Sequence, residues 1–119
     1  MHSVSSNAVA KSLSYSTQEV KTGGTWIDGK PIYRKCWLSA TNWANDTTIG
    51  TIQNMGTVVN IIDVTSFSGG GNYVNYGNDS QSVALTYVTN AGAVVVKRVG
   101  GFANNFPSRV IVEYTKTTD

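Results

Sequence analysis

Hydrophobic positions from Thr22 onward alternate with polar ones, or run together, over short segments typical of β-strands. Segments 82–89 and 109–116 carry apolar residues at every second position, as in a strand with one face on a core. Segment 57–66 is apolar at successive positions, which predicts a strand buried on both faces. Further strands are predicted at 32–38, 48–53 and 93–99.

Turn signals separate these segments. Asp28-Gly29 lies between Ile27 and Pro31 and is a strong signal for a hairpin, with Pro31 expected to flank the turn. Asn90-Ala91-Gly92 predicts a second hairpin connection. Six or seven short strands with such turns predict one all-β domain, an antiparallel β-sandwich, and a jelly roll is one form that it could take.

The start of the chain has a different pattern. Residues 3–13 form the only stretch with helical spacing, because Val9 and Leu13 share a face at i,i+4. A helix of this length is marginal in isolation, so it must pack on the following domain or bundle with copies of itself. We therefore expect a helical or linker segment over 1–21 and a β-sandwich domain over 22–119.

Charge and composition narrow the classes of partner. Only 13 % of residues are charged and the net charge is +2, so we expect no nucleic-acid partner. No apolar run reaches the roughly 18 residues of a membrane span, so we expect no membrane insertion. A surface rich in Thr, Ser, Asn and Gly suits extracellular β-proteins and uncharged polar ligands such as sugars. Cys36 is the single cysteine, for which we expect a buried thiol.

Residues for catalysis are scarce. His2 is the single histidine, so no Ser/His or Cys/His pair and no His/Cys metal site is expected. A carboxylate pair of the glycosidase type remains open, since sequence alone does not place the acidic residues. We expect no enzymatic activity, no catalytic residue, no cofactor and no metal.

Aromatic side chains among Asn and Gly residues suggest a ligand site. An exposed ring can cover the apolar C–H patches of a sugar while amides and carboxylates bind its hydroxyls. The alternative is that the rings are core residues and the Asn residues only form turns. The candidate ligand-binding residues are Trp43, Asn72, Tyr73, Asn75, Tyr76, Asn78, Asp79, Asn104 and Asn105.

Two segments of the chain carry a family resemblance. Segment 5–37 contains Ser-Asn-Ala-Val, then Tyr-Ser-Thr, then Thr-Trp-Ile-Asp-Gly-Lys-Pro-Ile-Tyr, and segment 113–119 reads Glu-Tyr-Thr-Lys-Thr-Thr-Asp. Both resemble parts of tail-fibre and baseplate-associated proteins of phages and prophages of gut bacteria. Together they cover about a third of the chain and bracket the domain, whereas 38–109 is not distinctive.

The resemblance implies a virion protein of the phage tail that acts outside the cell at the bacterial surface. It implies a homotrimer about the fibre axis and the C-terminal piece of a longer protein. In that piece, 1–21 would continue a fibre shaft and 22–119 would be the end domain. The expected function is binding of a host receptor, a surface glycan or protein, and the alternative is a structural trimerisation or assembly module. For Trp26 and Tyr33, packing across the hairpin and ligand binding both stay open.

Overall fold

The computed structural model describes residues 14–38, 47–67, 73–74, 77–78, 82–100 and 105–119. Within these ranges the chain forms nine β-strands and no helix, so the all-β prediction is confirmed. The expected helix at 3–13 lies outside the described residues. The strands are β1 (Val20–Thr25), β2 (Pro31–Leu38), β3 (Thr47–Thr51), β4 (Met55–Phe67), β5 (Tyr73–Val74), β6 (Gly77–Asn78), β7 (Ser82–Val88), β8 (Ala93–Gly100) and β9 (Asn105–Lys116).

The strands form two antiparallel sheets. The five-stranded sheet has the order β1-β2-β9-β4-β5, and the four-stranded sheet has the order β3-β8-β7-β6. Val94 and Val96 of β8 share one core with Val110, Val112 and Tyr114 of β9, so the two sheets meet through their apolar faces. This packing fits a β-sandwich. The faces of the two sheets that contact each other are called the inner faces. The opposite faces are called the outer faces.

The predicted hairpin at Asp28-Gly29 is confirmed and joins β1 to β2. The Trp26 N–H donates to the Lys30 carbonyl (2.9 Å), and the Asp28 carboxylate accepts from the Lys30 N–H (3.0 Å). Gly29 has a φ of 86°, in the left-handed region that disfavours other residues. Pro31 is the first residue of β2, where a missing N–H is tolerated.

The second predicted hairpin, between β7 and β8, is also confirmed. The Thr89 N–H donates to the Ala93 carbonyl (2.9 Å), and Gly92 has a φ of 92°. The Ile52 N–H donates to the Gly92 carbonyl (2.8 Å), so this turn packs against the connection between β3 and β4. A Cβ atom at Gly92 would lie 2.3 Å from the Ile52 carbonyl oxygen, which leaves room only for glycine.

The connections divide between two ends of the fold. The turn end holds the turns 26–30, 52–54 and 89–92 and the last residues, 117–119. The short connection from β3 to β4 places the turn ends of both sheets together. At the opposite loop end, β4 and β9 meet at the Phe67–Asn105 pair, and β7 and β8 meet at Ser82–Gly100. The strand ends of the loop end are Leu38, Thr47, Phe67, Ser82, Gly100 and Asn105.

The expectation that the strand at 57–66 is buried on both faces is wrong. In β4, Asn60 is exposed and Ile61 is 38 % exposed. The strand belongs to one layer of two, so Asn60 on its outer face meets no other sheet. Ile61 lies opposite Val112 on the inner face, which the other sheet covers only in part at this position. On that face Asp63 is buried and accepts a hydrogen bond from the Thr86 hydroxyl of β7 (2.7 Å), which links the sheets.

Strand β9 begins four residues earlier than the predicted 109, because β4 and β9 stay paired beyond it as far as Asn105. Pro107 lies opposite Thr65, beside an irregularity in the register. A proline removes one ladder hydrogen bond, which a local irregularity accommodates. Pairing with a distant strand therefore set this boundary.

Candidate functional site

The structure places three of the nine candidate ligand residues in strands rather than in loops. Tyr73 lies on β5 at the edge of the five-stranded sheet, and Asn78 lies on β6 at the edge of the four-stranded sheet. Asn105 is the first residue of β9, opposite Phe67. The remaining candidates lie outside the described residues: Trp43, Asn72, Asn75, Tyr76, Asp79 and Asn104.

The topology relates all nine positions to one end of the fold. Residues 39–46 connect β2 to β3, and residues 101–104 connect β8 to β9. The chain between β4 and β7 runs through the short edge strands β5 and β6. Every strand end that flanks a candidate residue belongs to the loop end. Positions far apart in sequence, from 43 to 105, are therefore attached to the same end.

A cavity of about 350 Å³ lies on the outer face of the five-stranded sheet, beside the segment that precedes β1. The Cys36 N–H donates to the Ser16 carbonyl (3.0 Å), so this segment continues along the edge of β2. Cys36 pairs in register with Ile111, and both side chains point away from the core. The cavity is lined by Tyr15, Ser16, Thr17, Cys36, Leu38, Arg109 and Ile111.

Apolar side chains dominate this cavity. Tyr15 is 64 % exposed and Leu38 is 63 % exposed, although both are large and apolar. Cys36 is buried with a free thiol, which confirms the expectation for this residue. Sequence patterns alone did not predict this cavity. The signal was present in the outward positions of β2 and β9, where Cys36, Leu38 and Ile111 stand in place of polar residues.

A partly buried ion pair borders the cavity. The Arg34 guanidinium donates to Glu113 through Nη2 (2.9 Å) and Nε (3.0 Å), and its centre lies 4.7 Å from the Tyr15 ring centroid. Asn60 Nδ2 donates to the other Glu113 oxygen (3.4 Å). Among the described residues, the buried Arg34 Nη1 has no hydrogen-bond acceptor. These contacts join β2, β9 and β4 on the outer face.

A second cluster joins the segment before β1 to the last residues of the chain. The Tyr33 and Tyr114 rings stack with centroids 6.1 Å apart. Tyr114 donates to Glu19 (2.5 Å), and Glu19 also binds Lys116 Nζ (2.8 Å). Tyr33 donates to Asp119 (2.7 Å).

The surroundings of Tyr33 favour a structural role over ligand binding. The ring that stacks on Tyr33 is Tyr114 of β9. Trp26 lies in the turn, beyond the last pair of the β1–β2 ladder. The ammonium groups of Lys21 and Lys116 lie 5.9 and 5.3 Å from the Tyr33 ring centroid. These neighbours engage the Tyr33 ring in contacts within the fold.

Ionisation in this cluster follows from its hydrogen bonds. The bond to Asp119, with a smaller contribution from desolvation, raises the pKa of Tyr33 to about 12. Burial, followed by the bond to Glu19, raises the pKa of Tyr114 above its usual value. Burial alone would raise the pKa of Glu19, but the bonds from Lys116 and Tyr114 outweigh it and lower that pKa. The cluster is therefore held with neutral tyrosines and a charged glutamate.

Each side-chain carboxylate in the described part of the chain accepts a hydrogen bond within the fold. Glu19, Asp63, Glu113 and Asp119 bind side chains of other strands or segments, and Asp28 binds within its own turn. Asp46 and Asp79 lie outside the described residues. The described carboxylates are thus engaged in structural contacts.

Among the described residues, no group of three or more His, Cys, Asp or Glu side chains could hold a metal ion. The same residues include no helix of the length and apolar character needed to cross a bilayer. Comparison of the chain with protein-family models, with curated proteins and with solved structures gave no match.

Proposed function

We propose that this chain is the C-terminal module of a phage tail fibre and that its loop end binds a receptor on the bacterial surface, a glycan before a protein. The proposal includes a location in the virion and no enzymatic role. One observation carries it: strand ends flanking all nine candidate ligand residues lie at one end of the fold. Residues on several loops at one end of a rigid scaffold are a common basis for recognition.

The two segments that resemble tail-fibre proteins support the proposal by their position. Segments 5–37 and 113–119 are far apart in the sequence, yet their described parts meet in the strands β1, β2 and β9. The Arg34–Glu113 ion pair and the Glu19–Tyr114 hydrogen bond join them. The described parts of the two segments that carry the resemblance therefore lie in one group of neighbouring strands. The part of the chain between them supplies the connections of the loop end.

A glycan is the ligand that fits the side chains attached to the loop end. Trp43, Tyr73 and Tyr76 offer aromatic faces for the C–H patches of sugars, and the neighbouring Asn residues offer amides for hydroxyl groups. Such ligands need little charge, and the chain has only 13 % charged residues.

Finer features of the fold and assembly belong to the same proposal. A jelly-roll arrangement is one form of the two-sheet packing, and a helix at 3–13 would connect the domain to a fibre shaft. Because a helix of that length is marginal alone, we propose that three copies of the chain bring their N-terminal segments together at the fibre axis.

The test of receptor binding compares two tyrosine variants. Tyr76→Ala should weaken attachment to host cells or their surface polysaccharide, because losing one stacked ring costs about 0.5–1.5 kcal/mol of binding free energy beyond its burial. Avidity among linked copies would enlarge the effect on attachment. The Tm of this variant should change little. Tyr87→Ala is the matched control, since Tyr87 is 40 % exposed on β7 near the turn end. A Tyr76→Ala protein that binds normally, or that unfolds with a loss of about 3–5 kcal/mol, would contradict the site.

A structural assembly module is the second candidate function. The observation in its favour is the place where the chain enters the domain. Tyr15 and Leu38 line one cavity, so the segment before β1 lies beside the last residue of β2, at the loop end. Loops near an assembly axis would contact other copies rather than a receptor. In that case Tyr76→Ala should lower the oligomeric state measured by light scattering and leave receptor attachment per oligomer unchanged.

A further inference from the structure

We infer that residues 14–19 form a strap that opens while the β-sandwich stays folded, and that this opening gives access to the cavity at Cys36. The strap precedes β1 and forms one wall of the cavity through Tyr15, Ser16 and Thr17. The opposite wall belongs to the five-stranded sheet, where Cys36 lies on β2. The cavity therefore lies between a short irregular segment and a regular sheet.

The first part of the strap is fastened at the edge and on the outer face of the sheet. The Cys36 N–H donates to the Ser16 carbonyl (3.0 Å), so the strap runs along the edge of β2. The Tyr15 ring centroid lies 4.7 Å from the centre of the Arg34 guanidinium, which is a cation–π contact. Tyr15 nevertheless remains 64 % exposed, and a cation–π contact with an exposed ring is weak.

The last residue of the strap is fastened by its side chain. Glu19 accepts a hydrogen bond from the Tyr114 hydroxyl, and its other carboxylate oxygen lies 2.8 Å from Lys116 Nζ. The Glu19 side chain remains 31 % exposed, so solvent screens this ion pair. The regular ladder between β1 and β2 begins at the next residue, where Val20 pairs with Arg34. Glu19 therefore holds the strap at the point where the chain enters the sheet.

The core that joins the two sheets does not depend on the strap. Among the described residues, that core consists of Ile52 and buried residues of β8 and β9, and residues 14–19 take no part in it. Within the strap, Ser16 is half-buried and the other residues are exposed. Segments with few buried apolar contacts open at a lower free energy than the core beside them. Loss of the strap contacts should therefore leave the sheets paired.

The first experiment measures the rate at which dithiodipyridine reacts with Cys36 in the full chain. Cys36 is the single cysteine and is only 6 % exposed, so the reaction reports access to one buried thiol. We expect the native rate to be at least about tenfold below the rate of the urea-unfolded chain. Below the unfolding transition the native rate should depend only weakly on urea, because opening a short strap exposes little surface.

Two results of this experiment would overturn the strap. A rate that rises with urea as steeply as global unfolding does would mean that Cys36 is reached only when the sandwich unfolds. A native rate equal to that of the unfolded chain would mean that the strap does not restrict access to the thiol.

The second experiment breaks the fastening at Glu19. Glu19→Ala removes both bonds of that carboxylate to β9 and should raise the native Cys36 rate by about three- to tenfold. Tyr33→Phe is the matched control, because it removes a hydrogen bond of the same cluster, to Asp119, without touching the strap. The Cys36 rate of this control should equal that of the unmodified chain.

The two variants decide whether this fastening governs the opening. An unchanged rate in Glu19→Ala, or an equal increase in Tyr33→Phe, would overturn the strap. Should Glu19→Ala fail to fold, the dependence of the Cys36 rate on urea in the unmodified chain still decides.

Discussion

The turn end and the loop end of this fold differ in the length of the connections that join their strands. At the turn end, connections of a few residues are fixed by backbone hydrogen bonds, such as Ile52 to Gly92 and Thr117 to Asn54. At the loop end, longer connections such as 39–46 join the strands. Short turns demand particular backbone angles, so their sequences are constrained by the fold. Long connections on a rigid scaffold commonly carry the residues of recognition sites, which is why we propose the receptor site at this end.

The clusters of the five-stranded sheet extend this contrast. The Tyr33–Tyr114 stack and its bonds to Glu19 and Asp119 fix the segment before β1 and the C-terminal residues to the same strands. If the two ends differ in this way, substitutions in this cluster and in the turns should lower the stability of the fold. Substitutions at the loop end should instead weaken binding.

The largest effect is expected at Tyr114, which is fully buried in the core. Tyr114→Ala should lower the free energy of unfolding by about 3–5 kcal/mol, the range for removing a buried aromatic ring. Tyr114→Phe keeps the ring and loses only the hydrogen bond to Glu19, so its cost should be about 1–3 kcal/mol. Urea denaturation measures both, and equal losses in the two variants would show that the ring is not packed.

The next largest effect is expected at two turn glycines with similar φ angles, 92° at Gly92 and 86° at Gly29. Alanine at either position carries the cost of a left-handed conformation, roughly 1–2 kcal/mol. At Gly92 the new Cβ would also meet the Ile52 carbonyl at 2.3 Å, whereas at Gly29 nothing lies within 4 Å. Gly92→Ala should therefore lower the free energy of unfolding by about 1–3 kcal/mol more than Gly29→Ala does. Equal shifts in Tm would mean that the turn moves away from Ile52.

A smaller effect is expected from pH. The pKa of Glu19 is lower in the folded chain than its ordinary value of 4.5. The charged glutamate therefore contributes stability above that ordinary pKa, and the contribution is lost as pH falls through the lower folded pKa. Because the ion pair with Lys116 is partly exposed, the loss should be below about 1 kcal/mol. Glu19→Gln should flatten this part of the stability curve, and an unchanged acid dependence in the variant would exclude Glu19 as its source.

The smallest effect on stability is expected at the loop end. Trp43→Ala should change the free energy of unfolding by less than about 0.5 kcal/mol, as for surface positions away from caps and cores. Its effect on attachment to polysaccharide should exceed its effect on Tm. A loss of several kcal/mol in urea denaturation would place Trp43 in a core and erase the difference between the two ends.

Local sequence rules were sufficient for the turns and for most strands. Asp28-Gly29 and Gly92 identified both hairpins, because the left-handed angles they supply are required by tight turns whatever the rest of the fold does. Predictions failed where distant pairing decided the outcome. Strand β9 extends to Asn105 because β4 continues opposite it, and no local signal near Asn105 marks that partner.

The candidate site was predictable only in part. Residue types suited to sugars pointed to positions 43, 72–79 and 104–105, but their common attachment to the loop end follows from strand order. The cavity at Cys36 escaped prediction, because it forms between β2, β9 and the segment before β1, which meet only in the folded chain.

By itself the sequence determined the all-β class, the two hairpins and the buried thiol of Cys36, since these depend on local backbone preference and on hydrophobic alternation. Only the tertiary structure decided that Tyr33 stacks on Tyr114, that Glu19 binds Lys116, and that Cys36, Leu38 and Ile111 form an apolar region on the outer face of the five-stranded sheet. The physical reason is that β-sheets are assembled from residues far apart in the chain. Their neighbours are fixed by strand order and register, and neither quantity is written in any local segment.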